Sequence, residues 1–194
     1  MQKDINSVMI VSKNSKMVEF IRSAMPPDKF SPVIVVADAG QARRTILRTP
    51  AEIVIIDTPL PDEFGTRLAL DLSEKCALAV IVKPELLERT SYKLEQHGIV
   101  TLPRTLYRSL LYQTLMLLSV SVTKMKQLSK DRDALKAKLR EVRIVTKAKT
   151  LLISEKSMTE EEAHHYIEKA AMDSGKKKTD VAAELIRELS DDII

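Results

Sequence analysis

Four short runs of apolar, mostly β-branched residues constrain this chain most: 8–11 (Val-Met-Ile-Val), 33–36 (Val-Ile-Val-Val), 53–56 (Ile-Val-Ile-Ile) and 79–82 (Ala-Val-Ile-Val). A strand with one wet face alternates apolar and polar residues; a run that is apolar throughout must be covered on both sides. A fifth, weaker run follows at 100–102, and amphipathic stretches at 16–25, 41–48, 66–73 and 86–97 separate the five. Strands and helices alternating with short connections predict a doubly wound α/β domain around a five-stranded parallel sheet, its functional edge at the carboxyl ends of the strands.

Composition narrows the class further. With 194 residues, 44% hydrophobic and 30% charged, the chain is expected to fold as an ordinary globular protein, not as a fibre or a disordered polymer. The lone cysteine, Cys76, excludes a disulfide framework and reads as a small core residue. The amino end, Met-Gln-Lys-Asp, lacks a signal pattern, and the longest apolar stretch, 109–122, is short and interrupted by Gln113, Thr114, Ser119 and Ser121. A cytoplasmic location without membrane contact is the expectation. Little supports enzymatic chemistry. Four glycines form no phosphate loop, there is no His-Glu-x-x-His and no cysteine pair, and the adjacent His164 and His165 diverge on a helix. No catalytic residue, metal or cofactor is expected.

The third run ends in Asp57, followed by Thr-Pro-Leu-Pro-Asp-Glu-Phe-Gly. In this the segment from 5 to about 108 resembles the receiver domain of bacterial response regulators, where such an aspartate accepts a phosphoryl group. The resemblance implies that charge on the acceptor is neutralised by a divalent ion, held by an acidic pair after the first strand, and by a lysine after the fifth. Here the acidic-pair positions read Ser12 and Lys13, the lysine position reads Arg104, and a Lys83-Pro84 pair falls at the end of the fourth strand. Ser12, Lys13, Lys83 and Arg104 thus define an altered pocket around Asp57, an inactive phosphoacceptor position. The expectation is a fixed Lys13–Asp57 ion pair; the alternative is that Asp57 only caps its loop while Lys13 points to solvent.

From Leu111 apolar residues recur at heptad spacing. Leu111, Leu118, Met125 and Leu139 fall at a, Leu128, Leu135 and Val142 at d, making seven of ten core positions apolar with no Gly or Pro. A coiled-coil dimer is expected, against the alternative of a helix folding back on the α/β domain. Residues 124–149 carry 10 Lys/Arg against 3 Asp/Glu, a surplus of +7, while 150–194 carry 6 against 11, a deficit of −5. Such a block attracts polyanions or is simply a solvated face.

The last segment predicts helices. Thr159-Glu-Glu-Glu162 contains a capping box opening a helix that buries Ala163, Tyr166, Ile167 and Ala170, and Ser174-Gly175 supplies a left-handed stop. Lys176, Lys177 and Lys178 precede a final helix burying Val181, Ala182, Leu185, Ile186 and Leu189. Ala148-Lys149, Ala171-Met172-Asp173 and Asp180-Val181-Ala182, in this order, resemble the ANTAR domain, the RNA-binding output of transcription antiterminators of the AmiR and NasR type. That resemblance implies binding to tandem hairpins of an mRNA leader by a homodimer, with Arg143, Lys147, Ala148, Lys149, Lys176, Lys177 and Lys178 toward the RNA. It also implies a sensor or other regulatory protein as a further partner. The competing class is a DNA-binding or protein-interaction regulator. The expected division is a receiver-like domain at 1–108, a dimerisation helix at 109–142 and an ANTAR domain at 135–194.

Overall fold

The computed structural model describes residues 5–191. The expected domain limits at 1 and 194, and the Met-Gln-Lys-Asp end, lie outside these. Strands β1 (Asn6–Val11), β2 (Phe30–Val36), β3 (Ile53–Asp57), β4 (Ala77–Val82) and β5 (Val100–Pro103) alternate with helices α1 (Ser15–Ser23), α2 (Ala39–Arg48), α3 (Thr66–Leu72) and α4 (Leu87–Leu94). Then come α5 (Arg108–Lys156), α6 (Glu160–Ser174) and α7 (Lys178–Asp191). The sheet is parallel throughout, in the order β2-β1-β3-β4-β5, as the continuous apolar runs require. The chain forms two compact units that divide between Lys126 and Gln127.

Alternation along each strand splits the core of the first unit. Met9, Val11, Val54, Ile56, Leu78 and Val80 face one way and pack with Ala42 of α2, Leu68 of α3 and Leu94 of α4. Val8, Ile10, Ile53, Ile55, Ala79 and Ile81 face the other and pack with Ile21 of α1 and with Leu111, Leu115, Leu118 and Val122 of α5. This second set corrects the dimer assignment for Leu111 and Leu118. Both are essentially fully buried against their own sheet, so neither is available to a partner helix. A helix face repeating every three to four residues suits a sheet as well as a coil, and the second sheet face needs a cover. The first unit accordingly extends through the start of α5 instead of ending at 108.

The second unit is a small helical core. Ala148 and Leu152 of α5, Ala163, Ile167 and Ala171 of α6, and Val181, Ala182, Leu185 and Leu189 of α7 bury one another. Both predicted end signals operate. Thr159 Oγ1 accepts the Glu162 N–H while the Glu162 carboxylate accepts the Thr159 N–H, and Gly175 closes α6 at φ +65°, where a β-carbon would be strained. Tyr166, expected in this core, is 39% exposed: it lies at the edge of the Ala163–Ile167 stripe, with the Lys156 ammonium 5.8 Å from its ring centroid.

Candidate functional site

At the carboxyl edge of the sheet, Asp57 ends β3 and is only 4% exposed. Its Oδ2 accepts the Ser12 hydroxyl at 2.8 Å, and its Oδ1 accepts Arg104 Nη2 at 2.6 Å. The same Nη2 also donates to the Thr58 carbonyl, and Thr58 Oγ1 donates to the Ile81 carbonyl at 2.9 Å. The Arg104 N–H bonds the Val82 carbonyl at 2.7 Å, so the chain continues along β4 past the end of β5 and its long side chain crosses to β3. Here the sequence expectation is corrected. Arg104, not Lys13, is the cation on Asp57. Successive side chains beyond β1 alternate, so with Ser12 turned toward Asp57 its neighbour Lys13 turns outward and is exposed. Lys83 is exposed as well, leading into a short 3-10 turn.

The loop after Asp57 is fixed by its glycine, part of the motif read from the sequence, and by ionic contacts that the sequence reading did not assign. Asp62 accepts the Ala39 and Gly40 N–H groups at the start of α2 at 3.0 and 2.9 Å, and these bonds, led by Ala39, hold its carboxyl below the usual range. Arg43 bridges Glu63 at 3.0 Å and Asp71 at 2.8 Å. Gly65 turns the chain at φ +103°, where an added Cβ would meet Ile56 Cγ2 at 3.0 Å and Thr58 Cγ2 at 3.1 Å. None of these partners is adjacent in sequence, so spacing along the chain does not reveal them.

A divalent ion does not fit this edge. The receiver fold implies one beside the acceptor, but the positions that would supply carboxylates hold a hydroxyl and an outward lysine. The remaining carboxylate already carries a guanidinium. Among the described residues, no cluster of three or more His, Cys, Asp or Glu stands ready for a metal.

In the second unit the cations fall into two groups. Lys136, Arg140, Arg143 and Lys147 are spaced by four, three and four residues, hence on one side of α5, and all are exposed. Among the described residues none of them has an ion pair. Lys136 and Arg140 escaped the motif-based reading, although the spacing alone would have found them. The other group is held. Lys149 Nζ pairs with Glu160 at 2.9 Å, Lys176 with Glu184 at 2.7 and 2.8 Å, and Lys178 with Glu168, which also takes His164 Nε2 at 3.2 Å. Lys149 depresses the Glu160 carboxyl and Lys178 depresses Glu168. Lys177 is exposed at the entry to α7 without an ion pair among the described residues. Ala148, expected toward RNA, is instead wholly buried in the helical core. Its place in the motif is a packing requirement, since a larger side chain would separate α5 from α6 and α7.

Residues 133–186 match the family model described as the ANTAR domain. The second unit carries an ANTAR domain. The first unit has the receiver fold, by its similarity to solved structures. One is the response regulatory domain of protein mrkE from Klebsiella pneumoniae, 15% identical, with 61% of this chain and 98% of that one aligned at a TM-score of 0.54. Another is the signal receiver domain of an HD domain-containing protein from Pseudomonas fluorescens Pf-5, 16% identical, covering 62% and 98% at 0.55. A third is NtrX from Brucella abortus, 12% identical, covering 65% of this chain and 29% of that one at 0.56. No curated protein matches the sequence. The pairing of a receiver fold with an ANTAR domain fits an ANTAR response regulator. No helix among the described residues is long and apolar enough to cross a membrane.

Proposed function

We propose that this chain is an RNA-binding antitermination regulator, of the AmiR and NasR kind, that holds tandem hairpins of an mRNA leader and so excludes an overlapping terminator. The observation that carries the reading is the exposed Arg143 and Lys147 stripe of α5, continued by Lys136 and Arg140, at the start of the ANTAR domain. Four cations about one helical turn apart track a phosphate backbone and give a salt-dependent, sequence-tolerant attraction. The remaining contacts in this reading are Lys149, Lys176, Lys177 and Lys178.

The active form in this reading is a homodimer. Leu128, Leu135, Leu139 and Val142 are 52–68% exposed, and the half-exposed Met125 precedes them at the same heptad spacing. Burying this stripe in a parallel pair removes it from water and presents two ANTAR domains to two hairpins, so that the second contact is intramolecular. Regulation runs without phosphoryl transfer, because Arg104 and Ser12 already occupy both carboxylate oxygens of Asp57; a regulatory protein acting on the receiver-like unit takes its place.

A gel-shift comparison of a two-hairpin RNA with duplex DNA of equal charge tests the reading. Preference for the RNA, reduced in the Arg143→Ala and Lys147→Ala variants, supports it, and equal affinity for both points to a DNA-binding or general polyanion-binding protein. Incubation with a small-molecule phosphodonor and Mg²⁺ should leave Asp57 unlabelled; stoichiometric labelling would show a working receiver.

A further inference from the structure

The ANTAR domain contains an imbalance that RNA binding alone does not explain. Its cationic helix precedes a segment, 150–194, with a deficit of −5 from 6 Lys/Arg against 11 Asp/Glu. A surface evolved only to attract phosphate has no use for acids next to its lysines. These acids are placed on them: Glu160 on Lys149, Glu168 on Lys178 and Glu184 on Lys176. Two of the three pairs join different helices. Lys149 lies on α5 and Glu160 on α6, Glu168 on α6 and Lys178 on α7, while Lys176 just before α7 reaches back to Glu184 within it. The carboxylates are 36–79% exposed, so none of the pairs serves to neutralise a buried carboxylate, and of the three lysines only Lys149 has a largely covered side chain. Among the described residues, Lys136, Arg140, Arg143 and Lys147 form no such pairs.

We infer that Glu160, Glu168 and Glu184 are internal stand-ins for RNA phosphates, holding Lys149, Lys178 and Lys176 until a nucleic acid of the right shape displaces all three. This deepens the RNA-binding reading and rests on it. A carboxylate and a phosphate oxygen compete for the same ammonium donors. A loose strand that meets one lysine at a time exchanges one pair for another and gains little. A folded RNA that presents phosphates to Lys149, Lys176 and Lys178 together releases three carboxylates in a single event and engages the unpaired α5 stripe as well. Each acid thereby sets a threshold: a contact weaker than the internal pair does not form, and a nucleic acid that engages all three lysines bears the cost of breaking all three pairs.

The test uses the full chain, a synthetic two-hairpin RNA and a uridine homopolymer of the same length, with dissociation constants measured over a salt series. Glu160→Gln, Glu168→Gln and Glu184→Gln keep size and hydrogen bonding but lose charge. Each should tighten binding by about two- to fivefold, the range set by exposed ion pairs. The gain should be larger for the hairpin RNA, whose complex breaks all three pairs, than for the homopolymer, and the salt dependence should steepen because no carboxylate is freed to regain a counterion. Glu161→Gln, an exposed acid of the same turn with no ion pair among the described residues, controls for net charge. Adding Lys149→Gln to Glu160→Gln should erase the gain. Circular dichroism verifies folding, and the three single variants, each on the surface, stand in for one another. The inference is overturned if the parent binds RNA and the Glu→Gln variants leave affinity and preference unchanged, or if Glu161→Gln does as much as the others. If the parent binds neither RNA, the RNA-binding reading itself falls and takes this inference with it.

Discussion

Replacing Arg104 by alanine tests whether Asp57 is held by a structural counter-charge. The substitution removes the donor 2.6 Å from Oδ1 and leaves a carboxylate that is 3% exposed with only the Ser12 hydroxyl on Oδ2. Deleting one partner of a fully buried pair costs about 3–5 kcal/mol, because the surviving charge is stranded. The Arg104 side chain is 32% exposed, so water enters where it stood and part of that penalty is relieved. A loss of ~2 kcal/mol is expected, equivalent to about 8 °C in the melting temperature of a unit this size. Hydrogen exchange of β3 and β4 amides during urea titration reports on this unit alone. Asp57→Asn should cost less, since its amide oxygen still accepts from Arg104 or Ser12. In the double variant the two losses should fall short of their sum by more than ~0.5 kcal/mol, the scatter of independent sites. Strict additivity, or an Arg104→Ala chain as stable as its parent, would refute the reasoning and return the pocket to a solvated loop cap.

Leu111→Ala empties a wholly buried position and should destabilise the first unit by about 2–5 kcal/mol, whereas Leu135→Ala, at a 61% exposed position, should leave folding alone and shift sedimentation toward monomer. The reverse pattern would mean that the coil begins at Leu111 after all. Cys76 is 4% exposed, donates to the Ala51 carbonyl at 3.1 Å, and burial pushes its thiol up to about 11. Alkylation at pH 8 should therefore be slow in the native chain and fast in urea; rapid native labelling contradicts this packing. Asp62 has its folded pKa below the ordinary 3.8, so folding favours the ionised form. Its contribution is complete above that value and is lost as pH falls through the lowered one. Asp62→Asn should accordingly flatten the acid limb of the stability profile below about pH 4, and an unchanged acid limb argues that the Ala39 and Gly40 contacts contribute nothing.

The places where reading the sequence failed share a cause. Asp57 was recognisable because a strand end followed by Leu-Pro and a nearby glycine is a local pattern, but its partner was assigned to Lys13, the cation closest along the first strand. Arg104 wins because parallel strands bring β5 within reach over β4, a neighbourhood created by sheet order and invisible to spacing. Leu111 and Leu118 failed for the complementary reason: their periodicity was read correctly, yet a helical stripe does not say what covers it. Ala148 belonged to a motif whose likeness is to a family, not to a contact list, and the motif position serves packing.

Local chemistry, then, determined a good deal unaided. Unbroken apolar runs dictated a covered parallel sheet, Thr159 with Glu162 dictated where α6 begins, Gly175 where it ends, and the crowding of lysine and arginine after 124 dictated where positive charge concentrates. Folding in three dimensions decided the pairings: which cation neutralises Asp57, which leucines of α5 the sheet consumes, and which lysines are left for a ligand once Glu160, Glu168 and Glu184 have taken theirs. The physical reason is range. Backbone periodicity and capping act within a few residues, whereas an ion pair forms between whichever charges the packed elements bring within hydrogen-bonding distance, however far apart the chain placed them.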